Sequence, residues 1–214
     1  MMTNDTIEIR YIKAPKMTDN SVLKIAEQLG IPFEEQDGTA NNVFINHVSG
    51  CWLIDAFLKS EGLNDFKYTN ITRGTFGKPY ISGMPNFNIS HNNDLIIGAF
   101  STHEVGIDVE HARPIEWAAY EDSFSPTEWK QICTSQTPHL TVLDYWTVKE
   151  SILKADGRGL QVSLSSVMLF NGFALIGDEE KKWYYKQFPL EGYFCCIASE
   201  KPIHTVNCLQ LQID

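Results

Sequence analysis

The segment "GIDVE" sets two carboxylates, Asp108 and Glu110, two residues apart. Side chains of a strand alternate between faces, so both project from one face while Ile107 and Val109 take the other. Like charges that close resist ionising together unless a cation lies between them. One or two carboxylates together with substrate phosphates is the usual way Mg²⁺ is held. The same spacing is also what a solvated outer strand face shows. "FNISHNN" offers Ser90 and His91 at a strand end, small polar groups suited to a phosphate or to orienting a nucleophile. A lone histidine also commonly satisfies a local hydrogen bond. "GKPY" sets Lys78 on a turn, where an exposed lysine is ordinary.

The stretch "WTVKESILKADGRGL" reads as a helix ended by glycines. At about 100° per residue, Tyr145, Trp146, Val148, Ile152, Leu153 and Ala155 share one apolar arc, with Thr147, Glu150, Ser151 and Lys154 on the other side. Glu150 and Lys154 are i, i+4 neighbours, a pair that also arises simply to stabilise an exposed helix. Lys149 falls inside the apolar arc, so it must snorkel to an edge or pair with a carboxylate. Three carboxylates, Asp108, Glu110 and Glu150, have the oxygen chemistry to hold Mg²⁺. Lys154, Lys78 and His91 have the charge to neutralise phosphate oxygens. Phosphoryl transfer needs that distribution, because its catalysis is mostly positioning and stabilisation of negative charge. No P-loop, kinase signature, G-x-S-x-G nucleophile motif or zinc spacing accompanies these residues, which sets aside nucleotide kinases, GTPases and such hydrolases.

The elements that must position these groups are legible from patterning. "TIEIRYIK" alternates as a strand, and "SVLKIAEQLG" reads as a helix stopped by Gly30. "VFINHVSGCWLIDAFLKSEGL" is a largely buried helix despite Gly50. A polar connection leads to the strand "FNIS", and "DLIIGAFS" and "VGIDVEH", separated by "THE", fit a hairpin. In "FSPTEW", Ser125 as N-cap, Pro126 at the first helical position and Glu128 form a capping box. A second helix runs from Pro138 to Asp156. The tail supplies four strand candidates: "VMLFNGFALIG", "KKWYYKQF", "GYFCCIAS" and "TVNCLQLQI". The fold class expected is α+β, two similar halves dividing near residue 104 into 1–104 and 105–214, with helices on one face of an antiparallel sheet.

The 214 residues carry 12% aromatic and 21% charged side chains, as an ordinary folded protein does. The net charge of −10 argues against a nucleic-acid binder, which needs clustered Lys and Arg. An anionic ligand must therefore be met by a local basic cluster or a metal ion. Five cysteines without C-x-x-C spacing read as reduced, buried thiols. No apolar run approaches the roughly 20 residues that span a bilayer, and the expectation is a cytoplasmic protein.

Taken in order, "GKPY", "FNISHNN", "GIDVE", "FSPTEW" and "WTVKESILKADGRGL" resemble the surfactin-synthetase-type 4′-phosphopantetheinyl transferases, over residues 77 to 160. The resemblance implies a monomer of two α+β halves in pseudo-twofold relation, with coenzyme A bound in the cleft between them. Mg²⁺ would bridge the pyrophosphate to acidic side chains. The phosphopantetheine arm would pass to a serine of an acyl or peptidyl carrier protein, releasing adenosine 3′,5′-bisphosphate. By this resemblance Asp108 and Glu110 are metal ligands, and Glu150 is a third ligand or the base for the carrier serine. Lys154 contacts the phosphates and steadies the leaving group, and Lys78, Ser90 and His91 contact coenzyme A. The chain has Ser90-His91-Asn92 where the family commonly has S-H-S. It also lacks basic residues in the helix before Lys59, His47 apart, where relatives place several. Arg10, Lys13 and Lys16 are the substitutes on offer for the adenosine 3′-phosphate. A non-catalytic protein that keeps the fold and binds a carrier or nucleotide is the alternative. Lys130, Lys149, Lys154 and Arg158 are candidates for a basic rim facing the carrier.

Overall fold

A computed structural model describes residues 6–13, 19–32 and 42–212. Lys16 lies outside the described residues. β1 (Thr6–Lys13) alternates as expected, burying Ile7, Ile9 and Ile12. α1 (Asp19–Leu29) buries Val22, Ile25, Ala26 and Leu29, one helical stripe, and stops at Gly30 with φ +71. α2 (Asn42–Ser60) follows, then the short strands β2 (Thr72–Arg73) and β3 (Pro79–Tyr80). Next come β4 (Asn86–Asn92), β5 (Leu95–Ser101) and β6 (Val105–His111).

α3 (Pro126–Thr134) starts at the capping box read from "FSPTEW". Ser125 Oγ accepts from Glu128 N at 3.3 Å, and Glu128 Oε2 accepts from Ser125 N at 2.8 Å. α4 (Pro138–Asp156) ends on Gly157, whose φ of +86 only glycine takes without strain. "VMLFNGFALIG" resolves into two strands, β7 (Val167–Leu169) and β8 (Phe173–Ile176). β9 (Trp183–Gln187), β10 (Tyr193–Ser199) and β11 (Thr205–Gln210) complete the chain.

The strands form a four-stranded sheet in the order β11-β1-β5-β4, a five-stranded sheet β6-β10-β9-β8-β7, and the small pair β2-β3. The two large sheets pack face to face through Ile7, Ile9, Ile97, Ile107, Val109 and Ile197. α1 and α2 cover the first sheet through Leu53, Phe57 and Phe100, with the last two rings stacked at 4.1 Å. α4 covers the second through Val148, Ile152, Trp183 and Cys196. Each sheet thus carries one 19-residue helix on its outer face, an α+β architecture. The strand Thr205–Gln210 pairs in parallel with β1, so the first sheet draws on both ends of the chain.

β5 and β6 are not the hairpin that "DLIIGAFS" and "VGIDVEH" suggest. β5 already has β1 on one edge and β4 on the other, which leaves it no free edge, so β6 pairs with β10 in the other sheet. The "THE" turn carries the chain between sheets. On α4, Thr147 and Ser151 are also buried, contrary to the polar side expected of them, because the helix is covered on more than one side. Their hydroxyls are satisfied within the helix, donating to Leu143 O and Val148 O. All five cysteines are free, but Cys133 and Cys208 are exposed rather than buried. Burial pushes the Cys51, Cys195 and Cys196 thiols up to about 12.

Candidate active site

β4 and β6 are the facing edges of two different sheets, and side chains rather than a backbone ladder join them. The period of two puts Asn88, Ser90 and Asn92 of β4 in one row. Asn88 Oδ1 accepts from Ile107 N at 2.9 Å, Ser90 Oγ donates to Asp108 Oδ1 at 2.9 Å, and Asn92 Nδ2 donates to Glu110 Oε2 at 2.7 Å. Asn92 Oδ1 also accepts from His111 N at 3.2 Å. The row therefore reads off β6 residue by residue and fixes the height of both carboxylates.

α4 lies on the Asp108 face of β6. A Cβ at Gly106 would stand 2.1 Å from Ser151 O and 2.3 Å from Ala155 N, so only glycine allows this approach. The helix spacing then drops Lys154 onto Asp108: Nζ donates to Oδ1 at 2.6 Å and to Ser90 Oγ at 2.9 Å. Asp108 is 5% exposed, and its second oxygen, Oδ2, is buried without a hydrogen-bond partner. Glu110 is held by Arg113 Nη1 at 3.0 Å as well as by Asn92. Burial pushes the Glu110 carboxyl up, Arg113 pulls it down, and Asp108 raises it again. Glu150 is pushed up by burial, lowered by Lys154, and raised by Asp108 and Glu110.

These groups line one cavity of about 370 Å³ with Ser90, His91 and Trp146. Among the described residues no three His, Cys, Asp or Glu side chains converge into a metal-holding cluster. Asp108, Glu110 and Glu150 share the cavity without closing on one point, since Lys154 takes Asp108 Oδ1 and Arg113 takes Glu110 Oε2. Glu150 and Lys154 also line a second cavity of about 550 Å³, walled by Phe76, Leu153, Val162 and Leu164 with Asp122, Ser123 and Ser163. Both cavities thus meet at one turn of α4.

His91 stands at the surface with Nδ1 3.3 Å from Asn46 Nδ2. Desolvation and then the Lys154 ammonium push its pKa down, against Asp108. It lines the carboxylate cavity and a third one, of about 310 Å³, that holds His47 and Arg73. Lys78 also borders the larger cavity, but its three protons go to Glu104 Oε2 at 2.7 Å, Ala155 O at 2.8 Å and Val105 O at 3.2 Å. It ties the end of α4 to β6.

Two expectations, on Arg10 and Lys149, are corrected here. Arg10 is buried against α2, donating to Ala56 O at 2.7 Å and Ser60 Oγ at 2.6 Å over the Phe57 ring, and cannot present itself to a phosphate. Lys149 is fully buried and forms no part of a carrier-facing rim. Arg158 is engaged by Asp156 at 2.7 Å and Glu179 at 2.7 Å, whereas Lys130 is exposed, as is Lys13. The partner that Lys149 required is Glu128, 2.8 Å away, and the buried ammonium is pushed down by desolvation against that hydrogen bond. Gly106, Asn88 and Arg113 were not singled out in the sequence, and Asn92 entered only as the departure from S-H-S. The period-two run Asn88-x-Ser90-x-Asn92, polar where a core strand should be apolar, was the available signal.

Residues 104–201 match the 4′-phosphopantetheinyl transferase superfamily. The 4′-phosphopantetheinyl transferase gsp of Aneurinibacillus migulanus is 25% identical over 219 residues, 97% of this chain and 92% of that protein. The 4′-phosphopantetheinyl transferase Sfp of Bacillus subtilis (strain 168) is 37% identical over 137 residues, 59% of this chain and 61% of its own. The human L-aminoadipate-semialdehyde dehydrogenase-phosphopantetheinyl transferase is 31% identical over 180 residues, 68% of this chain and 58% of its own. The α+β fold and the clustered acid and lysine residues agree with these similarities, which together support a 4′-phosphopantetheinyl transferase of the Sfp-like type.

Proposed function

We propose that this chain transfers the 4′-phosphopantetheine group of coenzyme A to a serine hydroxyl of an acyl or peptidyl carrier protein, with Mg²⁺, and releases adenosine 3′,5′-bisphosphate. The observation that carries the reading is the buried Asp108 carboxylate, one oxygen engaged by Lys154 and Ser90 and the other unpartnered, in a cavity bordered by Glu110 and Glu150. A buried anionic oxygen without a partner is costly, and a divalent cation offsets that cost. The donor set is hard oxygen, and Mg²⁺ needs only one or two carboxylates beside substrate phosphates and water. Asp108, Glu110 and Glu150 would hold it. When bound, Mg²⁺ supplies positive charge to the pyrophosphate oxygens.

The chain's own groups divide the remaining work. Glu150, where it does not take the third ligand position, would accept the proton of the carrier serine. The serine oxygen forms a bond to the phosphorus that bears pantetheine, and the phosphoanhydride bond to adenosine 3′,5′-bisphosphate breaks. Lys154, directly over Asp108, is placed to neutralise charge gathering on the phosphate oxygens. Ser90 and His91 border the same cavity and would contact the phosphates. Lys78 would do so by giving up one of its three present acceptors. No helix among the described residues is long and apolar enough to cross a membrane. The setting proposed with this reading is the cytoplasm, with the chain acting as a monomer on carrier proteins, and the net charge of −10 speaks against nucleic acid as a partner.

The test is incubation with coenzyme A, Mg²⁺ and apo carrier proteins from fatty-acid, polyketide and nonribosomal-peptide systems, read by intact-protein mass spectrometry. One phosphopantetheine added to a serine is the expected result. Absence of any addition across the panel, with the enzyme folded, refutes the proposal.

A further inference from the structure

Lys149 is sealed in the interior at 0% exposure, one residue from Glu150. Its ammonium has three protons and meets three acceptors from three separate segments. Glu128 Oε2 of α3 lies at 2.8 Å, Leu164 O at 3.1 Å and Ser123 O at 3.4 Å, with the Phe124 ring centroid 5.3 Å away. The same Glu128 oxygen accepts from Ser125 N at 2.8 Å in the capping box, so the start of α3 is fixed to α4 through one carboxylate. Two of the three segments supply walls of the larger cavity, as Asp122 and Ser123, and as Ser163 and Leu164. Glu150 and Lys154 border that cavity too.

Stability alone does not account for such a pair. Replacing a buried ion pair by apolar residues of similar volume is often neutral or stabilising. What apolar packing cannot supply is directional bonding from one point to three chain segments. The cavity so held has apolar walls at Phe76, Leu153, Val162 and Leu164 and polar ones at Asp122, Ser123 and Ser163. That lining suits a chain in which methylene and amide groups alternate.

Resting on the transferase reading above, we propose that Lys149 is a positioning residue. It holds the Asp122–Ser123 and Ser163–Leu164 walls in register with Glu150 and Lys154, and so sets how the cavity grips the pantetheine arm of the donor. It touches neither the donor nor the carrier. Its action is confined to the arm, because the walls it holds do not border the Asp108 cavity.

The variant that isolates this role is Lys149→Met with Glu128→Gln. Methionine keeps most of the stem, and glutamine preserves the capping box. Two ligands are compared by calorimetry with Mg²⁺ present: coenzyme A, which has the arm, and adenosine 3′,5′-bisphosphate, which lacks it. Affinity for coenzyme A is expected to fall at least about tenfold while that for the bisphosphate changes less than about twofold. Amide exchange without ligand should quicken at 121–124 and 162–166 and stay unchanged in β6 and β10. Equal losses for the two ligands, no loss for either, or unchanged exchange at both walls overturns the proposal. If the double variant does not fold, Glu128→Gln alone must show the same preferential loss for coenzyme A, and its absence is equally fatal. A wild-type protein that modifies no carrier refutes the transferase reading, while the exchange measurement still decides the role of Lys149.

Discussion

Replacing Gly106 by alanine tests whether the seat of α4 on β6 is what builds the site. The added methyl would lie 2.1 Å from Ser151 O, 2.3 Å from Ala155 N and 2.9 Å from Ala155 Cα. Ordinary contact begins at 3.4 Å, and all three atoms are backbone, so no rotamer change relieves the overlap. Strand and helix must part by roughly 1 Å in an interior packed like an organic crystal. Overpacking of this kind costs about 1–3 kcal/mol, and three backbone clashes place it at the upper end. For a chain of this length that lowers the melting temperature by about 6–12 °C, at roughly 2–4 °C per kcal/mol. The same displacement carries Glu150 and Lys154 away from Asp108, and a misplacement of about 1 Å costs on the order of a hundredfold in rate. Thermal melting gives the first number, and carrier modification below the melting transition gives the second. A Gly106→Ala protein that melts with the wild type and transfers at its rate would show that β6 and α4 do not set the geometry.

Three further outcomes follow from the same contacts. Asp108→Asn should lower transfer by about 10²–10³-fold in a steady-state assay. Its urea midpoint should stay near that of the wild type, because relief of repulsion from Glu110 and Glu150 offsets the lost Lys154 pair; wild-type activity would remove Asp108 from the chemistry. Glu150→Gln should be more stable than the wild type at about pH 8 and equal to it at about pH 4. Burial raises the Glu150 pKa in the fold, so the folded state binds more protons there and the wild type loses stability as pH rises above the ordinary carboxylate range. Urea midpoints at the two pH values check this, and a pH-independent difference contradicts it. Asn88→Ala should cost about 1–3 kcal/mol in chemical denaturation by orphaning the buried Ile107 N–H; a neutral result would mean that β4 and β6 are not joined through this amide.

Local patterns carried far where the cause is local. The capping box at Ser125 and Glu128 needs only four consecutive residues, and it forms as read. The end of α4 at Gly157 likewise needs only a glycine able to take positive φ. Lys149 was legible as a difficulty but not as a solution. A helix wheel shows that an ammonium sits among apolar neighbours, but not that Glu128, 21 residues earlier, serves both the capping box and the buried amine. Arg10 fails for the opposite reason. In "TIEIRYIK" it looks like a charged residue on a polar strand face, whereas the end of α2 covers that face and supplies acceptors at Ala56 and Ser60. Nothing in eight residues of strand indicates which helix will lie over them.

The misread hairpin has the largest bearing on the chemistry. Two alternating strands with a three-residue turn between them ordinarily pair. Had β5 and β6 done so, the edge of β6 would be filled by backbone hydrogen bonds from its own sheet neighbour. Because β5 is closed on both edges, β6 lands beside the free edge of β4 with no ladder between them. Amides and hydroxyls bridge the gap, and for that reason Asn88, Ser90 and Asn92 are polar in a strand whose neighbours Phe87 and Ile89 belong to the apolar core. Two of these bridges end on Asp108 and Glu110. The carboxylates are thus fixed by the join between the sheets, and α4, seated over it at Gly106, brings Lys154 to the same atoms. The site exists where the chain changes sheets.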